Sequence, residues 1–248
     1  MQNGILYYDM GDGIRAFTTM RGVGRNAGML CCLLGTDESR FIRPHQTHQT
    51  EVALIDEPLM ALSADEKTEA MEGVDAVVCS APGIVTGVST ADCIPVLVYD
   101  PVHHAAAAIH AGWRGTVARI VTASMKRMAE EFDTRPEDCS AVIGPGISLA
   151  SFEVGDEVYG AFDEAGFPME KIARRYPVMN GKGGEDGMKW HLDIKESNRL
   201  LLAETGIPEA AIMVSSIDTY TDERFFSARR EQRGTVKCGR IFSGFVLG

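Results

Sequence analysis

The stretch TADCIPVLVYDPVHHAAAAIHAGWRGT, residues 90–116, constrains the fold more than any other part of the chain. Two apolar runs, IPVLVYD (94–100) and HAAAAIH (104–110), flank Asp100-Pro101. Proline presets φ at the second position of a turn, and bounded runs of this composition read as strands. The stretch therefore predicts a β-hairpin. With the turn centred between Pro101 and Val102, Cys93 lies opposite His110. Directly opposed residues share a face with Cβ atoms about 5 Å apart. That separation suits two ligands of one tetrahedral metal, whose bonds are about 2.0–2.3 Å. A two- or four-residue loop on this centre keeps the register; a three-residue loop breaks it.

A third ligand has two candidates in RPHQTHQTEV (43–52), namely His45 and His48. His103 and His104 belong to the turn and lie far from Cys93, which leaves His191 as the remaining histidine. Three protein ligands plus an open position is the layout of a catalytic zinc, whereas structural zinc is closed by four. A fourth ligand, from His45 or Cys79, would instead mark a metal-stabilised binding module. The plain alternative is a packed cysteine and a hydrogen-bonded histidine at strand ends.

The 248 residues are 45% hydrophobic, enough for one sizeable core, so residues 1–248 are expected to form a single domain. The net charge of −11 disfavours a nucleic-acid partner, because no basic field draws phosphates in, but it leaves room for a local arginine pocket. The N-terminus lacks a basic, then apolar, leader, and no apolar run is long enough to cross a membrane. The six scattered cysteines form no CxxC pair and read as reduced thiols in a cytoplasmic protein.

Strands are expected at 50–55, 75–80, 84–89, 94–100, 104–110, 140–145, 211–217 and 240–248. Helices are expected at 63–73, where Ser63 and Glu66 form a capping box and Gly73 ends the turn, and at 114–132 with a face of Val117, Ile120, Val121, Ser124 and Met128. A third runs from the Asp193 cap to Gly206. The Gly-rich segment 176–190 reads as a long surface loop, and VIGPGIS (142–148) as a tight turn rather than a phosphate-binding loop. Strands cluster in pairs without strict βαβ alternation. The expected class is α/β (α+β), a layered sandwich with mixed sheets and flanking helices.

HQTHQTEV (45–52), GVSTADCIPVLVYDP (87–101), AAIHAGWRGT (107–116), IGPGISLASFEVGDEV (143–158) and DTYTDERFFSARR (218–230) together resemble the YfiH family, from about residue 40 to the C-terminus. Its members have been called laccase-domain proteins, polyphenol oxidases and purine nucleoside phosphorylases. The resemblance implies a metal, usually zinc, held by His48, Cys93 and His110, and so selects His48 over His45. Two departures stand out: Gln49 replaces the usual glycine, and AFTTMRGVGRNAGMLCCLLG (16–35) is shorter than the matching Gly-rich segment.

The resemblance further implies phosphorolysis of adenosine, inosine or methylthioadenosine, and deamination of adenosine. Zinc with three protein ligands activates water or polarises a substrate atom. Phosphate needs cations: Arg114 and Arg230 are the catalytic candidates, with Arg229 as a binding group. Phe226 is a candidate for stacking on a purine, and Gln46 of the Gln-x-His motif for contacting substrate. Deamination needs a general acid/base carboxylate near the metal, and Asp92, the nearest in sequence, is the catalytic candidate; if already in the strand it points away from Cys93 and would instead orient a ligand or cap a loop. The rivals are a copper-dependent polyphenol oxidase, since copper outcompetes zinc on intrinsic affinity, and a metal-dependent hydrolase in peptidoglycan editing. Six histidines are too few for a full multicopper set.

Overall fold

The structure is a computed structural model that describes residues 4–178, 187–232, 234 and 239–248. Two large sheets face each other. The first is β1 (Ile5–Tyr8), β2 (Ile14–Thr19), β14 (Ile241–Leu247), β6 (Val85–Thr90) and β3 (Phe41–Ile42), in that order, antiparallel except for β6 with β3. The second is β13 (Ile212–Val214), β9 (Ser140–Ile143), β7 (Ile94–Asp100), β8 (Ala105–Ala111), β5 (Val74–Cys79) and β4 (Glu51–Ile55), parallel at both edges and antiparallel between. A small antiparallel sheet holds β10 (Glu153–Val154), β12 (Met188–Leu192) and β11 (Ala173–Pro177). The expected mixed α/β layering is observed.

Strand periodicity builds the layers. Along β7, Ile94, Val96 and Val98 enter the core under the helices, while Leu97 and Tyr99 enter the core between the sheets. The alanine-rich β8 is buried on both faces, Ala105, Ala107 and Ile109 on one and Ala106 and Ala108 on the other. Val88 and Phe245 of the first sheet close the inter-sheet core. α5 (Ile120–Phe132), α6 (Asp156–Glu164) and α8 (Ile194–Thr205) cover the outer face of the second sheet, and α1 (Ala27–Leu34) covers the first. The shorter helices are α2 (Glu57–Met60), α3 (Ala64–Ala70), α4 (Trp113–Val117), α7 (Met169–Ile172) and α9 (Ala228–Gln232).

Several expectations are corrected. The hairpin turn is 101–104, centred one residue later, so His110 pairs with Pro95 rather than with Cys93. Buried Asp100 sets this turn: its carboxylate accepts from the Val102 and His103 N–H groups and pairs with the His103 ring. The shift is two positions in register, so Cys93 and His110 keep a common face. The helix expected at 114–132 is broken into α4 and α5 by Arg119, at φ 62. Its methionines are core, as expected, with Met125 and Met128 buried. α3 has the full capping box but ends at Ala70. Gly73, at φ 75, instead donates to the His45 carbonyl. The supposed loop 176–190 begins in β11 and ends in β12, and 179–186 and Cys238 lie outside the described residues. β1 to β3 and the small sheet were not expected at all.

Candidate metal centre

His48, Cys93 and His110 converge, each ligand atom within 4.8 Å of the others. Cys93 stands just before β7 and His110 near the end of β8, both on the face toward the first sheet. His48 comes from the loop between β3 and β4, its ring edge-on to His110 with centroids 4.8 Å apart. Gly112 makes the convergence possible. A Cβ there would lie 3.2 Å from Cys93 Sγ, 3.2 Å from the His48 ring and 3.7 Å from His110 Nε2.

Asp75 orders this cluster, and the sequence carried no signal for it. Along β5 the register with β4 slips so that Glu51 faces Val74 and Val52 faces Ala76, leaving Asp75 without a partner on β4. Such irregularities re-aim a side chain. The fully buried Asp75 carboxylate accepts from the His110 ring at 2.7 Å and from three successive N–H groups, of Thr47, His48 and Gln49, at 3.1, 3.0 and 2.8 Å. One carboxylate thus orients the His110 ring and pins the turn that carries His48, which holds φ 65. Burial opposes its charge, but His110 and these N–H groups bring its pKa below the ordinary value.

The electrostatics suit a metal. Burial works against a Cys93 thiolate, yet facing His110 and then His48 bring its pKa down to about 6. Burial likewise opposes an imidazolium at His110, but Cys93 and then Asp75 hold its pKa up at about 9. With His110 Nδ1 bonded to Asp75, Nε2 faces the cluster. Two imidazoles and a thiolate are borderline-soft donors, and a tetrahedral zinc needs ligand atoms roughly 3.5 Å apart. The residues present fit such an ion.

The cluster forms one wall of a cavity of about 270 Å³ at the end of the inter-sheet layer, which Ser89 to Ala91, Gln46, Ala228, Arg25 and Arg240 also line. The other sequence candidates are placed as follows. The Gln46 amide is spent on Ser89, donating to its carbonyl and accepting from its N–H. Asp92, at φ 79, accepts from Thr219 Oγ1, Ser227 Oγ and the Arg229 N–H, tying the Cys93 turn to the start of α9. It sits in the turn before β7 rather than in the strand, and its carboxylate ties that turn to α9. The Arg229 guanidinium donates to the Glu153 carbonyl, and that of Arg230 to the Tyr220 and Phe225 carbonyls. Arg114 is exposed over the Trp113 ring. Phe226 packs against Gly24 and Gly239 beneath Arg21. None of Arg114, Phe226, Arg229 and Arg230 is among the residues lining the cavity; Arg25 and Arg240, not singled out from sequence, are. His45, the rival ligand, pairs with Glu72.

The profile of the family described as multi-copper polyphenol oxidoreductase laccase matches residues 13–248. The chain belongs to this laccase-like family. The match starts well before residue 40, so the short segment 16–35 is part of the family domain. A purine nucleoside phosphorylase of Bacteroides thetaiotaomicron is 44% identical over 226 residues, 91% of this chain and 80% of that one. Adenosine deaminase RL5, from an unknown prokaryotic organism, is 38% identical over 94% of each chain. The crystal structure of Bacillus licheniformis hypothetical protein YfiH superposes with a TM-score of 0.83 at 26% identity, covering 99% of this chain and 97% of that one. Laccase-like relatives thus carry two purine activities in their names.

Proposed function

We infer that the protein is a purine nucleoside phosphorylase acting on adenosine, inosine and methylthioadenosine at a zinc centre held by His48, Cys93 and His110. One observation carries this reading: a three-ligand cluster opens onto an arginine-lined cavity of small-molecule size. Zinc in that place would supply a Lewis acid at the cavity wall. The protein's own groups do the rest. Asp75 fixes the two histidines, Asp92 and Arg229 hold α9, whose first residue Ala228 lines the cavity, and Gln46 locks the facing wall to Ser89. A cytoplasmic setting would keep the Cys93 thiol reduced and ready to ligate.

Adenosine deamination is the second reading, supported by the relative bearing that name. A multicopper oxidase is disfavoured by where the other histidines are engaged: His45 with Glu72, His103 with Asp100, His104 with Tyr99 and His191 with the Leu149 carbonyl. Among the described residues, one His/Cys/carboxylate cluster is assembled. The test is a product assay on metal-defined protein, adenosine with and without phosphate. Phosphate-dependent adenine and ribose 1-phosphate are expected. Inosine alone would make it a deaminase. Neither product would overturn the purine reading and turn attention to copper-dependent phenol oxidation or cell-wall amides.

A further inference from the structure

Gly24 sits where two backbone segments nearly touch. It holds φ +55, and a Cβ there would lie 3.3 Å from the Arg240 carbonyl and 3.6 Å from the Phe226 ring. A left-handed φ is costly for any residue with a side chain, and the Arg240 carbonyl would crowd one here. The turn is closed from within, the Met20 carbonyl accepting from the Val23 and Gly24 N–H groups at 3.1 and 2.7 Å. Asn26 then caps α1. Arg25 lies between turn and cap, so its side chain leaves a braced base. Arg240 directly precedes β14, against that same turn. The two arginines line the cavity of the metal cluster together, and they share an adjoining recess with Glu231 and Gly239.

The charges around them are uncompensated on the Arg25 side. Among the described residues, Arg25 has no carboxylate within ion-pairing distance. Arg43 stands behind it, its guanidinium donating to the Arg25 carbonyl at 3.0 Å. Burial, and then the charge of Arg25, hold the Arg43 pKa below its ordinary value. Arg25 and Arg240 on the cavity wall, Arg240 also donating to the Gly239 carbonyl, with Arg43 behind Arg25, make a local positive field in a chain of net charge −11, one that draws a small multivalent anion. Planar guanidinium groups match phosphate oxygens with paired hydrogen bonds.

The geometry points to Arg25 and Arg240 as the cradle for inorganic phosphate on the wall of the metal-lined cavity, with Arg43 bracing Arg25. The assignment rests on the phosphorolytic reading above. In that reaction one phosphate oxygen bonds to C1′ and the C1′–N9 bond breaks, its electron pair leaving with the purine. The proton shed by hydrogen phosphate balances the one the purine gains. The cradle binds the attacking group and holds it on the cavity side of the sugar.

The test uses full-length, zinc-loaded Arg25→Gln, Arg240→Gln and Arg25→Lys, with bound zinc and thermal melting as controls for folding. Two readouts are taken: KM for phosphate with adenosine, and binding of inorganic phosphate alone by calorimetry. Each Gln variant is expected to raise the phosphate KM and weaken phosphate binding by about 10- to 100-fold, the loss of one charge-assisted contact. Arg25→Lys should recover part of it, and the KM for adenosine should move by less than about threefold. An unchanged phosphate KM in both Gln variants of an active enzyme overturns the cradle while leaving phosphorolysis standing. If the wild type makes no phosphate-dependent product, the phosphorylase reading fails. The binding readout then decides alone: phosphate bound by the wild type and lost in the Gln variants upholds an anion site, and no binding by the wild type overturns it.

Discussion

At the scale of single residues the centre depends on Asp75 as much as on its three ligands. Asp75→Asn keeps the shape but weakens acceptance from His110 and from the N–H groups of residues 47–49. Loss of such a supporting partner costs about 10- to 100-fold in metal affinity, measurable by chelator competition. Cys93→Ala should abolish stoichiometric metal binding and activity, and retained stoichiometric zinc would refute its assignment as a ligand. The coupled pair also sets a pH response. Above about pH 6 Cys93 is already a thiolate, while His110 keeps its proton up to about pH 9. Counting these two groups, metal binding releases about one proton between those values and about two below pH 6. Affinity should therefore fall about tenfold per unit as pH drops from 9 to 6, and more steeply below. Calorimetry of zinc binding in buffers of different ionisation enthalpy reads the proton count. Cys93 and His110 were legible as a facing pair of metal-binding residue types, whereas His48 over His45 was only what the family resemblance implied. Asp75 was not legible, since an aspartate opening a strand looks the same whether it faces solvent or a histidine.

At the scale of elements, the β7–β8 hairpin shows what pattern reading carries and what it does not. Alternation along IPVLVYD fixes which residues share a face, so a turn misplaced by one residue still leaves Cys93 and His110 on the same side. The position of the turn depended on the buried Asp100 carboxylate binding residues 102 and 103, which proline placement could not reveal. Gly112 offers a test at this scale. Its φ of −70 suits alanine, so Gly112→Ala adds no backbone strain, and any fall in the metal-free melting temperature comes from crowding at this buried position against Cys93 and His48. The added Cβ, 3.2 Å from Cys93 Sγ and the His48 ring, should lower zinc affinity at least about tenfold. The break at Arg119 was equally hidden: a helical pattern ran through it, but Arg119 turns left-handed and reaches Glu204 of α8. The small sheet was missed because β10 has two residues and because glycines in 176–190 masked the strands at its ends.

At the scale of the whole molecule, two sheets share one core, and the site occupies its open end. Phe245 of the first sheet is fully buried against the alanines of β8. Phe245→Ala should cost about 3–5 kcal/mol of stability, read from the denaturant midpoint. Arg114→Ala, outside the residues lining the cavity, should change the phosphate KM by less than about twofold in steady-state assays, although its place four residues after His110 suggested otherwise. By itself the sequence determined the layered α/β class, the strands of the second sheet, two of the five in the first, and the placement of Cys93 with His110 on one face, because burial periodicity is local and type-specific. Only the tertiary structure decided that Asp75 supports His48 and His110, that Arg229 and Arg230 lie outside the cavity lining and donate to backbone carbonyls, and that Arg25 and Arg240 line the cavity. The physical reason is that a charged side chain's role depends on what lies within a few ångströms of it. Those neighbours come from segments up to about two hundred residues apart, brought together by packing rather than by spacing along the chain.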